Sequence, residues 1–401
     1  MEYRSHSNPF ISRGTWEFRR VAISMVAAGF STFALMNCVQ PLMPVFSQAY
    51  GITAADAALS LSVNIAVLAI CMPVTSAFSE VVGRKSVMVV SLFLSGLLIL
   101  ASAYETNWST FLIYRALQGV AMSGVPAVAM AYLSEEIDPK QAGYAIGLYV
   151  SGAAIGGMIG RVMTGIVLDY SDWHVAVLSI GIAGMITAAA FTVLLPASRH
   201  FVRQGVDPVR ILSNYAAHLR NPAQRRLYVT GFLLMGGLIT VYNNLGYRLL
   251  AEPFTLSQTI VSLLFSIYIA GIVSSPMAGA MADRFGRRKV LLISLGVTVA
   301  GALAMLFDWL PLVLGGLVVF TIGFFASHAV ASGWVGREAT QARAQASSLY
   351  LFSYYMGGAI ISWFGGLVWD YARWPGITAL LALCLVICLW LASIRSQAGS
   401  T

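Results

Sequence analysis

Charge is scarce in this chain. Only 10% of its 401 residues are Asp, Glu, Lys or Arg and 58% are apolar, against roughly 25% charged and roughly 45–50% apolar in a soluble domain. That balance excludes a water-soluble fold, and twelve spans of about 20 residues each leave no room for a sizeable soluble domain. Cysteine is scarce too. Cys38, Cys71, Cys384 and Cys388 all fall inside apolar runs, and none stands in a polar loop where an oxidising compartment could cross-link it, so neither disulfides nor zinc are implied. No Gly-x-x-x-x-Gly-Lys-[Ser/Thr] stretch is present to cradle a nucleotide, which argues against an ATP-driven pump. No nucleophile and base are paired for catalysis, so an intramembrane enzyme is only a remote alternative; it would need catalytic groups at one depth, and His328 has no evident acid partner. The net charge of +8 is scattered between apolar segments and forms no continuous basic face, so no nucleic-acid partner is expected.

What is present is a series of long apolar segments, at about 21–46, 57–79, 87–104, 109–134, 143–168, 174–195, 228–251, 257–281, 290–307, 311–336, 345–369 and 376–393. They are too long and continuous for the alternating strands of a barrel. The first follows a polar stretch bearing Arg4, Arg13, Arg19 and Arg20, exceeds a signal-peptide core and lacks a small-residue cleavage pattern, so it reads as a permanent span. Twenty of the 24 basic residues fall on one side when the N-terminus is placed inside. The positive-inside rule then predicts both termini in the cytoplasm of a multi-pass inner-membrane protein. The expected organisation is a cytoplasmic tail at 1–20, a six-helix bundle at 21–195, a basic cytoplasmic linker at 196–226, a second bundle at 227–394 and a tail at 395–401.

The halves repeat. Glu80, Gly83 and Arg84 recur 203 residues later as Asp283, Gly286 and Arg287. Tyr149, Gly156, Gly157, Asp169, Tyr170 and Trp173 recur 201 residues later as Tyr350, Gly357, Gly358, Asp370, Tyr371 and Trp374. Copies in the same sense with six spans each predict an all-α membrane protein of two pseudo-symmetric bundles.

With these motifs the chain resembles the major facilitator superfamily over nearly its whole length. The family's signature Gly-x-Leu-Ala-Asp-Arg-x-Gly-Arg-Lys is similar to the run Gly279 to Arg288, including Asp283, Arg284, Gly286 and Arg287. The first half keeps Gly83, Arg84 and Lys85 but has Ser76, Glu80 and Val81 where the family has Gly, Asp and Arg. An acid beside arginines at a membrane surface can form a network that breaks and reforms, and so can latch one half against the other. Arg115 to Gly119 resembles the family's proton-coupling motif. Gly152 to Arg161 resembles its antiporter motif, with Gly157 and Arg161 in place of Pro and the last Gly while Gly156 is retained. The stretch Gly156 to Arg161 of that run, with Tyr242 to Leu249, resembles YnfM-type bacterial inner-membrane transporters of the drug/proton antiporter branch. The resemblance implies alternating access, a proton as coupling ion with no other cofactor, and a monomer in the lipid bilayer.

The polar residues inside spans support a path for a small molecule. In this fold spans 1, 4, 7 and 10 line the central cavity, and they carry Asn37 and Gln40, Arg115 and Gln118, Tyr242, Asn243, Asn244 and Arg248, and His328. Pairs three or four apart share one helix face. The expected function is proton-coupled efflux of small amphipathic compounds or metabolites. The alternative is transport of an anionic metabolite bound by Arg115, Arg161 and Arg248, because no Asp or Glu occupies the middle of those four spans. His328, about 12 Å along its helix from the end, is the one span histidine able to titrate near neutrality.

Overall fold

A computed structural model of the chain describes residues 10–139, 141–201, 203, 208–339 and 341–394; Lys140, the tail at 395–401 and residues 1–9 of the first tail lie outside them. Each of the twelve expected apolar segments is helical. Span 1 is α1 (Trp16–Asn37) and α2 (Met43–Tyr50), spans 2 and 3 are α3 (Ala54–Val82) and α4 (Arg84–Ser102), and span 4 is α5 (Trp108–Met122) with α6 (Pro126–Glu136). Then come α7 (Ala142–Tyr170), α8 (Trp173–Leu194), a short α9 (Pro208–Arg220) in the connection, and α10 (Pro222–Leu250). Span 8 is α11 (Gln258–Leu263), a 3-10 turn at Leu264–Ile267, and α12 (Tyr268–Phe285); α13 (Arg287–Ala304) and α14 (Leu310–Glu338) follow. The last element, α15 (Arg343–Ser393), contains two helices separated at Arg373, where φ is 50°.

Among the described residues, nine stretches are long and apolar enough to cross a membrane by length and composition. One of them is the bent α15; α13 carries Arg287, Arg288 and Lys289 in 18 residues, and the polar Asn243 and Asn244 lower the hydropathy of α10.

Local chemistry sets the helix ends. Asn107, Asp172 and Asn221 each accept a first-turn backbone N–H with their side chains at the starts of α5, α8 and α10, the usual role of such residues at an N-cap. Proline opens α6 and α10, where its missing N–H costs nothing. Gly83 (φ 110°) and Gly286 (φ 91°) make the turns α3–α4 and α12–α13 in a region that L side chains avoid. This explains the repeated glycine of the signature.

The helices before residue 195 pack chiefly on one another, α1 against α7 and α8 and α4 against α8, while α10 packs along α15 and α13 along α14. The two sets meet where α3 lies on α15 and α7 lies on α11. One face of the molecule carries the connection between the sets, here the linker face; the other is the far face.

Candidate functional site

At the meeting of the two sets stands Arg161 of α7, 4% exposed. Its Nε donates to Gln40 Oε1 at 2.6 Å, and Nη2 to Asn37 Oδ1 at 2.7 Å. Nη1 turns back to the carbonyl of Gly157 at 2.8 Å. A Cβ at Gly157 would stand 3.3 Å from that nitrogen, so the glycine leaves space for the guanidinium. From the other set, Phe265 and Tyr268 place their rings 4.8 and 5.1 Å from the guanidinium. Gln40 relays the polarity: with its oxygen facing Arg161, its amide Nε2 donates to Asn243 Oδ1 of α10 at 2.6 Å. None of the ion pairs among the described residues involves Arg161. Tyr242 adjoins this group, its ring 4.8 Å from that of Tyr268 and its hydroxyl bonded to Thr321 at 2.8 Å.

Thus Asn37, Gln40, Arg161, Asn243 and Tyr242 come together. Other expected residues do not join them. Arg115, wholly buried, donates to the carbonyls of Leu35 (3.2 Å) and Met36 (2.8 Å) in the last turn of α1, to Ser60 O of α3 (2.7 Å) and to Gln118. Carbonyls at a helix end lack intrahelical partners, and α1 stops at Asn37; Arg115 supplies both donors and positive charge to that end. Arg248 does likewise past the end of α13, donating to Met305 O (2.6 Å), Phe307 O (3.0 Å) and Asp308 (2.8 Å) with Trp374 beneath it. Of the three arginines expected to share an anion, the geometry leaves Arg161 alone in the centre, because the other two serve broken helix ends. Asn244 bonds the carbonyl of Thr240 on its own helix at 2.9 Å. His328 of α14 bonds Tyr350 OH at 3.0 Å and lies 4.4 Å from the Tyr354 ring, in an aromatic wall with no carboxylate contact described.

At the linker face the signature residues form two networks, each within one set of helices. Arg84, nearly buried, takes Glu135 at 2.7 Å through Nη2, with Glu80 at 4.0 Å. Asp283 accepts from Arg287 and Arg337, both at 2.9 Å, while Arg284 lies over the Phe285 ring. Among the described residues, neither network reaches across to the other set. A crevice lined by Arg226, Thr230, Arg288, Trp334 and Glu338 opens on this face and shares none of the expected site residues.

The side-chain hydrogen bonds described between the two sets lie toward the far face. Asp370 of α15 accepts the N–H groups of Ala54 (3.1 Å) and Ala55 (3.3 Å) at the start of α3. Its repeat copy Asp169 of α7 accepts those of Gln258 (3.2 Å) and Thr259 (2.9 Å) at the start of α11. Ser47 and Met43 O meet Tyr247 OH at 2.7 and 2.9 Å, and Ser62 meets Ser362 at 3.0 Å. The sequence carries a signal for the aspartates in the repeated Asp-Tyr-x-x-Trp block; nothing in it singles out Phe265, whose role depends on neighbours far along the chain.

The family model described as Major Facilitator Superfamily matches residues 25–246 and 227–399. The Escherichia coli inner membrane transport protein YnfM is 46% identical over 385 residues, covering 96% of this chain and 92% of that protein. The uncharacterized MFS-type transporter YybF of Bacillus subtilis is 42% identical, covering 97% and 96%. In fold the chain is similar to a bacterial homolog of the human lysosomal transporter Spinster in an inward-facing, unoccupied conformation, with TM-score 0.75, 13% identity and coverage of 94% and 96%. Twelve helical segments in two related sets, the signature at Gly279 to Arg288 and these matches lead to one conclusion: this chain belongs to the major facilitator superfamily.

Proposed function

We propose that the protein is a proton-coupled exporter of small amphipathic compounds, in which helices α1–α8 and α10–α15 rock against each other as two units. The observation that carries this reading is the distribution of contacts between the sets: hydrogen bonds hold them together at the far face, while the linker-face networks stay within one set. By the positive-inside rule the linker face, with both termini, is cytoplasmic. This arrangement is then a state that loads from the cytoplasm. Opening the far face separates Asp370 from α3 and Asp169 from α11, and allows the acid and arginine networks at the linker face to pair across the sets. His328, set in the aromatic wall and bonded to Tyr350 OH, is the group proposed to carry the proton.

The test is accumulation by everted membrane vesicles bathed in a cell metabolite extract, with the vesicle interior made acidic and contents read by mass spectrometry. Amphipathic compounds should accumulate with the protein present and fail to accumulate when nigericin collapses the gradient. Accumulation that ignores the gradient would end proton coupling, and accumulation only in right-side-out vesicles would reverse the direction. His328→Gln should keep exchange of compound and lose the response to the gradient.

A further inference from the structure

Resting on that transport reading, we infer that the central site takes small organic carboxylates with an aromatic or similarly flat apolar body, and that Arg161 binds the carboxylate. An arginine inside a membrane protein without a counter-charge is costly and is found facing the interior or a cavity. Here the acceptors around it are neutral: two side-chain amides and one carbonyl take three of its five N–H groups. The same network leaves other donors free. Because Arg161 turns the Gln40 oxygen toward itself, Gln40 gives its N–H to the Asn243 oxygen, and buried Asn243 Nδ2 is left with no partner. Tyr268, beneath the guanidinium, has a buried hydroxyl that is likewise without a partner. Unpaired buried donors are costly, and donors gathered around one uncompensated cation favour a ligand that only accepts hydrogen bonds and carries negative charge.

The apolar part of the ligand follows from the neighbouring rings. Tyr242, Phe265 and Tyr268 form one cluster, with Tyr242 4.8 Å from Tyr268 and 5.3 Å from Phe265. Tyr268 also meets Phe325, and partly exposed Tyr354 and Tyr355 continue the wall toward His328. A cationic ligand would meet Arg161 with no carboxylate to offset the repulsion. The site is also assembled from both sets of helices, Asn37, Gln40 and Arg161 from one and Asn243, Phe265 and Tyr268 from the other. Opening the far face therefore withdraws the rings and the Asn243 donor from Arg161, which weakens the hold on the ligand as it is released.

The test is the thermal stability of the purified protein with three matched sets: benzoate, benzyl alcohol and benzylammonium; 3-phenylpropionate and its alcohol and amine; and 2-naphthoate with its alcohol and amine. At least one carboxylate should raise the melting temperature, and its alcohol and amine should not. Arg161→Gln should weaken that carboxylate by about ten- to a hundred-fold, the loss of a charge-assisted bond. Should Arg161→Gln not fold, Asn243→Asp serves instead. It keeps the oxygen that Gln40 needs and replaces the free donor by a negative oxygen, so the carboxylate response should vanish while an amine response is unchanged or gained. No response to any carboxylate, an equal response to alcohol or amine, or an undiminished carboxylate response in the variants would overturn the inference. A carboxylate-specific shift in a protein whose vesicles show no gradient-driven accumulation would instead condemn the transport reading alone.

Discussion

Asp370 accepts the N–H groups of Ala54 and Ala55 from the other half of the molecule at 3.1 and 3.3 Å, so one carboxylate caps a helix that is 315 residues away in the chain. Thr53 covers the next N–H, that of Asp56, at 3.1 Å, and the first turn of α3 is satisfied. The arrangement repeats at the start of α11, where Asp169 serves Gln258 and Thr259 and Ser257 serves Ile260. Negative charge at a helix N-terminus and side-chain capping contribute roughly 0.5–2 kcal/mol. Because both contacts cross between the sets, they are expected to act on the proposed opening of the far face and little on the fold of either set.

Asp370→Asn should therefore shift the molecule toward opening at the far face by about 1 kcal/mol, roughly fivefold in population. Asp169→Asn should act in the same direction and less strongly, since its surroundings are more exposed. The readout is labelling of a cysteine introduced at Ser62, within the interface. Unchanged labelling in the double variant would show that these caps do not hold the far face closed.

At the linker face, Glu135→Gln should cost more stability than Glu80→Gln. Arg84 has a side-chain exposure of 8% and contacts both oxygens of Glu135, whereas Glu80 stands 4.0 Å away. Removing one partner from a nearly buried arginine leaves a charge poorly compensated. Asp283→Asn affects exposed pairs, which contribute about 0–1 kcal/mol; its larger effect is expected on transport, by weakening the state closed at the linker face. Melting curves of the three variants, read beside vesicle transport, separate these outcomes.

The spans were legible because hydropathy is a local property, and so was the two-fold repeat, because it is written as fixed offsets. The breaks were not. Span 1 reads as one run from 21 to 46, yet α1 stops at Asn37 and α2 starts at Met43. The break is stable because Arg115 takes the end carbonyls of α1, a relation set by the rotation of α5 and not by anything within span 1. For the same reason Arg115, Arg161 and Arg248 look alike in sequence. Each is an arginine in the far half of a span, and only their neighbours decide that two cap helix ends and one remains central. Span 4 likewise reads as one run from 109 to 134, yet it breaks at Ser123 to Val125 and α6 starts at Pro126.

Arg115 provides the corresponding test. Lysine keeps the charge and loses the planar fork of five donors, so Arg115→Lys cannot reach Ser60 O on α3 and both end carbonyls of α1 together. Charge-assisted bonds contribute about 1.5–3 kcal/mol each, and the variant should lose roughly that much or more. It should melt lower while a carboxylate that binds the parent still binds the folded fraction with similar affinity. A variant as stable as the parent but deaf to carboxylates would return Arg115 to the binding site.

The last prediction concerns close packing of helices inside each set. Gly156 of α7 lies against the backbone of Phe30 in α1, where a Cβ would come 2.2 Å from the carbonyl oxygen and 2.4 Å from Cα. Its repeat copy Gly357 lies against Phe232 of α10, with the carbonyl oxygen 1.9 Å from a Cβ. Helices in lipid rely on such small residues for close approach, and backbone atoms cannot turn aside as a flexible side chain can. Gly156→Ala and Gly357→Ala should each cost about 1–3 kcal/mol or more by overpacking and lower the melting temperature. Gly279, the leading glycine of the signature, meets nothing within 4 Å of a Cβ. There alanine should be neutral, or stabilising by up to about 1 kcal/mol, from its higher helix propensity. If Gly279→Ala proves as harmful as Gly156→Ala, the glycine of the signature is needed by another conformation in which α12 packs more closely than it does here, and transport rather than melting becomes the measurement that locates it.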